Sequence, residues 1–349
     1  MRGFALCLAA LAMSIARSRD AGFLRQDSRL RVINGCQSEP IWIGYEVGAP
    51  YGACGTLPDD DFLKLEVGAF HDYMIPQTGI CGFRLWPMAR CGADGKALGL
   101  SGDVMDCEIG PSGGIHSNNY CPGDIVNTTS GQRGLGCSPP IDSKFEASFG
   151  CEVAERSKCQ STPQGGTLFN ASDYWDTSLV DGWTLPFKVR VLDECEGGPP
   201  GGSIDCSALS LSNCPESENL SNAGMDFPSL RNVSLSLAHP ITGRKVGCKS
   251  PCSYLAKPQW AFNSTSYPET SDQAKWFCCP TPPIDPADCR GLGNSFPGNY
   301  GPVKHTSYVS TVHKYCPHVY AYSYDEIAAA GALWKCPPGV RYEVTFMCP

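Results

Sequence analysis

Residues 172–186 read SDYWDTSLVDGWTLP and set three carboxylates, Asp173, Asp176 and Asp181, among Tyr174, Trp175, Leu179, Val180 and Trp183. Carboxylates beside aromatic rings suit a hydroxyl-rich ligand: the oxygens accept hydrogen bonds from hydroxyls and the rings cover apolar faces. Two carboxyls flanking a glycosidic oxygen, one protonated and one ionised, would also hydrolyse it. Crowding raises the pKa of one such group, so that it keeps its proton. Alternating aromatic, β-branched and polar residues predict a half-buried strand, ended by a turn at Asp181-Gly182. Asp176 and Asp181 are five residues apart, so one continuous strand would point them to opposite faces. They share a site only if the chain bends near Val180-Asp181-Gly182; otherwise they are solvated carboxylates at a strand end.

A second segment with catalytic spacing is Gly110-Pro111-Ser112-Gly113-Gly114, which fits G-x-S-x-G and has His116 nearby. A nucleophile elbow needs a strand before the serine and a helix after it. Residues 115–124, IHSNNYCPGD, close on Pro122-Gly123 and cannot supply that helix. Asp59-Asp60-Asp61 lacks the spaced ligands of a calcium loop and reads as a solvated turn. There is no GxxxxGK[ST] loop, HExxH or dinucleotide fingerprint, and neither a metal nor a cofactor is expected.

The chain that must position these groups has 349 residues, enough for one large domain or two small ones. Its 38 glycines, 29 prolines and 18% charged residues describe a loop-rich, mainly β protein. With 27 Lys+Arg against 35 Asp+Glu it offers no basic patch to neutralise phosphates, which argues against a nucleic-acid partner. Residues 1–18, MRGFALCLAALAMSIARS, have a basic start, an apolar run and small residues at their end, the pattern of a signal peptide. The apolar run is too short to span a bilayer comfortably. The mature chain, 19–349, is expected to be secreted, extracellular and monomeric, with no stable membrane insertion.

Cys7 leaves with that peptide, and twenty of the 21 cysteines remain, an even number suited to disulfides in an oxidising compartment. Cys248-x-x-x-Cys252 has the look of half a zinc site, but disulfide pairing is the expected use in such a chain. Five sequons, at Asn127, Asn170, Asn219, Asn232 and Asn263, agree with export.

Residues 29–45, RLRVINGCQSEPIWIGY, read as two short strands around Asn34-Gly35 and Ser38-Glu39-Pro40. Residues 143–149, SKFEASF, alternate as a short strand, and residues 340–349, VRYEVTFMCP, set Val340, Tyr342, Val344 and Phe346 against polar neighbours. Residues 307–315, SYVSTVHKY, read as a short helix with His313 on its surface. Residues 195–316 are cysteine-dense and poor in strands. Residues 110–140 and 151–167 carry Gly, Pro, Ser and Cys121, Cys137, Cys151 and Cys159, and look inserted.

Several of these blocks resemble the thaumatin-like proteins, the family of thaumatin, osmotin and zeamatin. SDYWDTSLVDGWTLP is similar to that family's strand-and-turn signature. Residues 82–91, GFRLWPMARC, place Arg84, Leu85, Trp86 and Cys91 as the family places an arginine, an aliphatic residue, a tryptophan and a cysteine. CPHVYAYSYDE (316–326) resembles its CPxAYSYxxDD, the chain end resembles its closing strand with Cys-Pro, and residues 29–45 resemble its opening hairpin. The family's C-x-T-G-D-C is here LSGDVMDC, with Leu100 or Ser101 at the first cysteine, so Cys91 needs another partner and Cys107 is a candidate.

The resemblance implies an all-β, thaumatin-like β-sandwich, about 29–190 and 317–349, with a disulfide-rich, loop-rich second lobe, about 195–316. It implies the pairs Cys36–Cys348, Cys195–Cys336, Cys206–Cys316, Cys214–Cys248, Cys252–Cys278 and Cys279–Cys289. Cys54, Cys81, Cys91, Cys107, Cys121, Cys137, Cys151 and Cys159 are left without an assigned pairing. It further implies a cleft of one arginine and four acids. Arg84, Glu146, Asp176 and Asp181 take the first four places, and the last falls on Glu326, with Asp325 beside it.

β-1,3-Glucan or a related polysaccharide would bind in that cleft, against Trp86, Trp175, Trp183 and the tyrosines at 320, 322 and 324, in a defence or antifungal role. The alternative is an endo-β-1,3-glucanase. Glu146, desolvated beside Phe145 and Phe149, would be its general acid, and Asp176 or Asp181, kept ionised by Arg84, its base or nucleophile. A third reading is an enzyme inhibitor or membrane-perturbing protein acting through its surface.

Overall fold

Apolar residues at every second position set the two layers of this fold. A computed structural model describes residues 28–47, 54–57, 63–91, 107–110, 141–162, 165–168, 171–221, 227–239, 242–257, 267–290, 302–325 and 331–348. Its strands are β1 (Ser28–Asn34), β2 (Ile41–Glu46), β3 (Leu63–Leu65), β4 (Phe70–Met74), β5 (Ile80–Cys91), β6 (Cys107–Ile109), β7 (Lys144–Phe149) and β8 (Asp173–Ser178). They continue as β9 (Gly182–Trp183), β10 (Phe187–Val191), β11 (Ser203–Asp205), β12 (Ser236–Ala238), β13 (Lys245–Lys249), β14 (Trp334–Cys336) and β15 (Tyr342–Phe346). The helices are α1 (Pro251–Ala256), α2 (Lys275–Cys278), α3 (Pro286–Cys289) and α4 (Ser307–Tyr315).

One layer runs β11-β10-β15-β1-β4 and the other β14-β8-β7-β5-β2-β3, with β6 also on β5; β12-β13-β9 is a third, small sheet. Leu30 and Val32 of β1, Val189 of β10 and Tyr342, Val344 and Phe346 of β15 are buried from one layer. Phe83, Leu85, Phe145, Phe149 and Trp175 are buried from the other. The layers meet at Tyr342, whose ring lies 5.6 Å from Trp175, 5.9 Å from Phe149 and 6.1 Å from Phe145. The architecture is therefore the expected all-β sandwich. A buried polar fastener crosses the same space. Arg29 donates to Asp173 at 2.5 Å and to the Gly150 carbonyl at 3.1 Å, and the Tyr342 hydroxyl donates to Asp173 at 3.0 Å. Asp173 thus belongs to the core, and burial pushes its pKa up despite Arg29.

The hairpin expected over residues 29–45 does not form. β1 pairs in parallel with β15 and antiparallel with β4, which fills both of its edges, while β2 pairs with β5 and β3 in the other layer. The intervening chain is pulled to the C-terminal strand. Cys36 is bonded to Cys348, and Gly35 packs so closely there that a Cβ would lie 2.8 Å from Thr345. That link closes a loop of 312 residues, worth ~5 kcal/mol in the chain-entropy account.

All six pairs implied by the resemblance are formed. Cys54–Cys81, Cys91–Cys107 and Cys151–Cys159 add three more, while Cys121 and Cys137 lie outside the described residues, as do residues 1–18, expected as a signal peptide, and Ser112. Both cysteines of the Cys248-x-x-x-Cys252 spacing are in disulfides, so neither can offer zinc a thiolate.

The second lobe holds the helices. The α1 N-cap is Ser250, whose side chain accepts from the Ser253 amide, with Pro251 at the first helical position, and Thr306 caps α4 in the same manner. α4 matches the helix expected from the sequence. Two strands cross between the parts: β11 extends the sandwich at β10, and β9 pairs with β13 of the lobe. Among the described residues no helix is long and apolar enough to cross a membrane.

β9 makes its crossing through Gly182, at φ +134°, where a Cβ would stand 2.2 Å from the Cys248 carbonyl oxygen and 2.6 Å from Ile141. Gly182→Ala should therefore cost more than ~2 kcal/mol, from overpacking together with backbone strain. Denaturant unfolding of the variant measures it, and a loss under ~0.5 kcal/mol would show that the lobe and sandwich do not depend on this close approach.

Candidate functional site

Because Phe145, Ala147 and Phe149 enter the sandwich, Lys144, Glu146 and Ser148 leave β7 on its other face. Four strands bring one charged residue each to a row on that outer face. Glu46 lies opposite Arg84, Arg84 opposite Glu146, and Glu146 opposite Asp176. The long connection between β7 and β8 leaves the ladder unbroken from Lys144–Ser178 to Ser148–Tyr174. Arg84 is gripped by Glu46, which accepts from Nε at 2.9 Å and Nη2 at 2.7 Å, while Nη1 stands 3.7 Å from Glu146. Sequence reasoning found Arg84, Glu146 and Asp176 but missed Glu46. The Glu146 side chain is 30% exposed, since Phe145 and Phe149 lie across the sheet from it and do not desolvate it.

Asp181 reaches the same side because the chain does bend after β8. Leu179 N donates to the Tyr320 carbonyl at 2.8 Å, the Tyr308 hydroxyl donates to Leu179 O, and Gly182 N returns to Leu179 O at 3.1 Å. The buried Asp181 is not held by Arg84, however. Its carboxylate accepts from Lys144 on β7 and, at 2.7 Å, from Lys257 at the C-cap of α1. Burial would raise its pKa, but the two ammonium groups hold it well below the ordinary carboxylate range.

The desolvated acid expected at Glu146 is found instead at Asp142, on the same face of the chain as Lys144. Asp142 is 0% exposed, neither oxygen has a hydrogen-bond partner among the described residues, and Lys144 Nζ stands 3.4 Å away. Burial, aided by the negative charge of Asp181, raises its pKa to about 7 against the opposing pull of Lys144. The signal for Lys144 and Asp142 was their spacing of two and four residues before Glu146, the period of one face of an extended chain.

Three other expectations fare differently. Trp86, Trp175 and Trp183 are 0% exposed and can offer no face to a sugar. Trp86 lies under Trp42, Met88 and Cys107, Trp175 points into the core, and Trp183 stacks 5.0 Å from Tyr308. Tyr322 is buried as well, while Tyr324 is half-buried beneath Arg290. The exposed ring on the face of Asp176 is Tyr174, with Lys335 Nζ 5.7 Å from its centroid. Asp325 is buried, accepting from the Ala321 amide at 2.9 Å and meeting His313 Nε2 at 2.8 Å, so it ties α4 to the following turn. Glu326 lies outside the described residues.

Among the described residues, one cluster of metal-type ligands loses its two thiolates to a disulfide. Cys252, Glu269 and Cys278 bring ligand-type atoms within 4.8 Å of one another, but the two sulfurs are bonded to each other. Asn219 and Asn232 are exposed, and the other three sequons lie outside the described residues.

Comparison with known proteins places this geometry in a context. The family model described as Thaumatin family matches residues 144–349, a span that contains Glu146, Asp176 and Asp181. "Thaumatin-like protein 1b" of Malus domestica is 27% identical, over 84% of this chain and 98% of the relative. "Thaumatin-like protein 1a" of the same species is 30% identical, over 80% and 91%. A "Glucan endo-1,3-beta-glucosidase" of Prunus avium is 29% identical, over 54% of this chain and 52% of that protein.

The Asp142 carboxyl gives the site a measurable pH signature. Its folded pKa of about 7 lies above the unfolded value of 3.8, so the folded state holds a proton that the unfolded state releases. Its contribution to stability therefore falls as pH rises from about 4 to 7, by roughly 1.4 kcal/mol per unit at most, and levels off above. Asp181 acts in the opposite sense, adding stability above pH ~4 that is lost on acidification. Asp142→Asn should remove the fall, gaining on the wild type between pH 5 and pH 8 by on the order of 3 kcal/mol. Parallel stability curves for the two proteins in denaturant titrations would contradict it.

Proposed function

This chain belongs to the thaumatin family, and from that premise we propose that it binds β-1,3-glucan or a related polysaccharide along the outer face of β2, β5, β7 and β8. The observation that carries the reading is the cross-strand row Glu46–Arg84–Glu146–Asp176 with an exposed aromatic, Tyr174, two residues from Asp176 on the same face. Carboxylates fixed by an arginine are acceptors for sugar hydroxyls, and the tyrosine ring supplies the apolar platform that the buried tryptophans cannot. Three strand intervals of about 4.8 Å make the row some 14 Å long, a groove-like footprint suited to a linear chain. The disulfide-rich framework suits the extracellular space, where a defence role of antifungal type would be exercised. Glu326 would complete the acidic set, whereas Asp325 serves the fold.

Hydrolysis as an endo-β-1,3-glucanase is the second reading, and the register favours it in one respect. Glu146 and Asp176 are direct cross-strand partners, with Cβ atoms about 4.5–5.5 Å apart for such a pair, which suits two carboxyls acting on one bond. The relative named for that activity points the same way. Asp181, committed to two lysines, is the poorer base.

Retention on insoluble β-1,3-glucan, with release of reducing ends assayed in parallel, tests both readings. The wild type should be retained, and Tyr174→Ala should weaken retention roughly 3–10-fold, the ~0.5–1.5 kcal/mol of an aromatic contact, without a change in Tm. Arg84→Ala should weaken it further by leaving Glu46 and Glu146 without their counter-charge. If reducing ends appear, Glu146→Gln and Asp176→Asn should lower turnover about 10²–10⁴-fold while retention persists. Absence of both retention and turnover would remove the polysaccharide reading and leave an inhibitor or membrane-active protein.

A further inference from the structure

The row on β2, β5, β7 and β8 offers a sugar mainly acceptors. Glu46, Glu146 and Asp176 are carboxylates, and the Arg84 guanidinium is already gripped by Glu46. Acceptors alone do not satisfy a pyranose, because its ring and glycosidic oxygens carry no proton and can only accept. A donor stands on the next strand of the sheet. β14 pairs with β8 so that Trp334 lies opposite Trp175 and Lys335 opposite Tyr174. The tryptophans are buried while Lys335 and Tyr174 are exposed, so this second pair belongs to the face that carries Asp176. We propose that Lys335 is a further binding residue of the polysaccharide site, the donor for a sugar ring resting on Tyr174 and Leu333, which carries the site onto a fifth strand; the inference rests on the polysaccharide reading above.

Three observations converge on this corner of the sheet. The large apolar side chains exposed among the described residues are Val67, Phe70, Tyr174 and Leu333. Two of those four flank Asp176, Tyr174 along β8 and Leu333 one position on from the Trp334–Trp175 pair. They supply the apolar floor on which a pyranose rests. Lys335 Nζ, unlike the ammonium groups of Lys144 and Lys257 that hold Asp181, makes no hydrogen bond or ion pair among the described residues. Its one contact is with the Tyr174 ring at 5.7 Å, near the far limit of a cation–π interaction, and a ligand oxygen can replace it. The backbone beneath is fixed from both sides. Cys336 is bonded to Cys195, the Lys335 amide donates to the Gly197 carbonyl at 3.2 Å, and a Cβ on Gly197 would stand 2.3 Å from the Lys335 carbonyl oxygen. Little backbone order is left to lose when a ligand binds. A direct cross-strand pair sets its Cβ atoms about 4.5–5.5 Å apart, so one ring over Tyr174 meets Lys335 at its rim and leads on to Asp176. Three carboxylates of the face stand against Arg84 and Lys335, which fits a neutral polysaccharide better than an anionic one.

Lys335 is exposed, so altering it leaves no buried hole. Soluble β-1,3-gluco-oligosaccharides, neutral and carboxymethylated, are titrated against wild type, Lys335→Met, Lys335→Arg, Tyr174→Ala and the Lys335→Met/Tyr174→Ala double variant. Lys335→Met keeps the stem and loses the donor; it should bind the neutral form roughly 3–10-fold more weakly, the loss of one hydrogen bond, at unchanged Tm. Lys335→Arg keeps a donor and should stay within about twofold of wild type. The double variant should lose less than the product of the two single losses, because both side chains touch one ring. The carboxymethylated form should bind wild type more weakly than the neutral one. Neutral binding by Lys335→Met within twofold of wild type overturns the proposal, and so does Lys335→Arg falling as far as Lys335→Met. Tighter binding of the carboxymethylated form that salt abolishes also overturns it, since Lys335 would then be collecting anions. Failure of the wild type to bind either soluble or insoluble glucan instead overturns the polysaccharide reading, and this inference with it.

Discussion

The period of two along β7 is the constraint on which the site depends. It sends Phe145, Ala147 and Phe149 into the sandwich, where Phe145 and Phe149 pack against Tyr342, and it leaves Asp142, Lys144 and Glu146 on the opposite side. A slip of one residue would exchange the two sets and place Glu146 and Lys144 among aromatic rings, at a cost no pairing in the core could offset. The register with β5 and β8 is therefore held by the apolar face, and the charged face inherits it. Arg84, Glu146 and Asp176 line up because their neighbours pack, not because they attract.

What the charges do decide is how the lobe meets the sandwich. Asp181 sits on the turn after β8, Lys144 on the sheet and Lys257 at the end of α1; Asp181 and Lys144 are buried and Lys257 is partly so. Taking a carboxylate and ammonium groups from water is costly, and only mutual pairing makes it tolerable. The same logic recurs at Glu108, a fully buried carboxylate on β6 that accepts from Arg244 at 2.6 Å and from Thr242 on the β12–β13 turn, with Arg90 of β5 at 3.5 Å. Each buried acid joins segments far apart in the chain, which specifies a docking geometry that apolar contacts alone would leave degenerate.

This pairing also shapes the chemistry. A glycosidase needs one carboxyl that gives up a proton at the bond and one that stays ionised. Here the group that keeps its proton near neutrality is Asp142, which no ligand can touch, and the firmly ionised one is Asp181, already held by two lysines. Among the described residues of the row, Glu46, Glu146 and Asp176 are the partly exposed carboxylates. The row is thus a fixed array of hydrogen-bond acceptors, within which Glu146 and Asp176 are direct cross-strand partners.

Sequence by itself determined the β class and the α4 helix, its resemblance to a known family supplied the six disulfide pairs, and the same resemblance singled out Arg84, Glu146 and Asp176, which the register sets in one cross-strand row. Those follow from local period, cysteine order and matched motifs, all written within short stretches. It misread the aromatic residues, taking Trp175 for a sugar platform when the alternation already set Tyr174 on the face of Asp176. It also drew residues 29–45 as a hairpin, because nothing local shows that β15, more than three hundred residues away, takes the edge of β1. Only the tertiary structure decided that Glu46 grips Arg84, that Lys144 and Lys257 claim Asp181, and that Asp142 is sealed from water. Burial and ion pairing depend on which distant segments cover a residue, and a charge's partner is set by through-space distance rather than by sequence spacing.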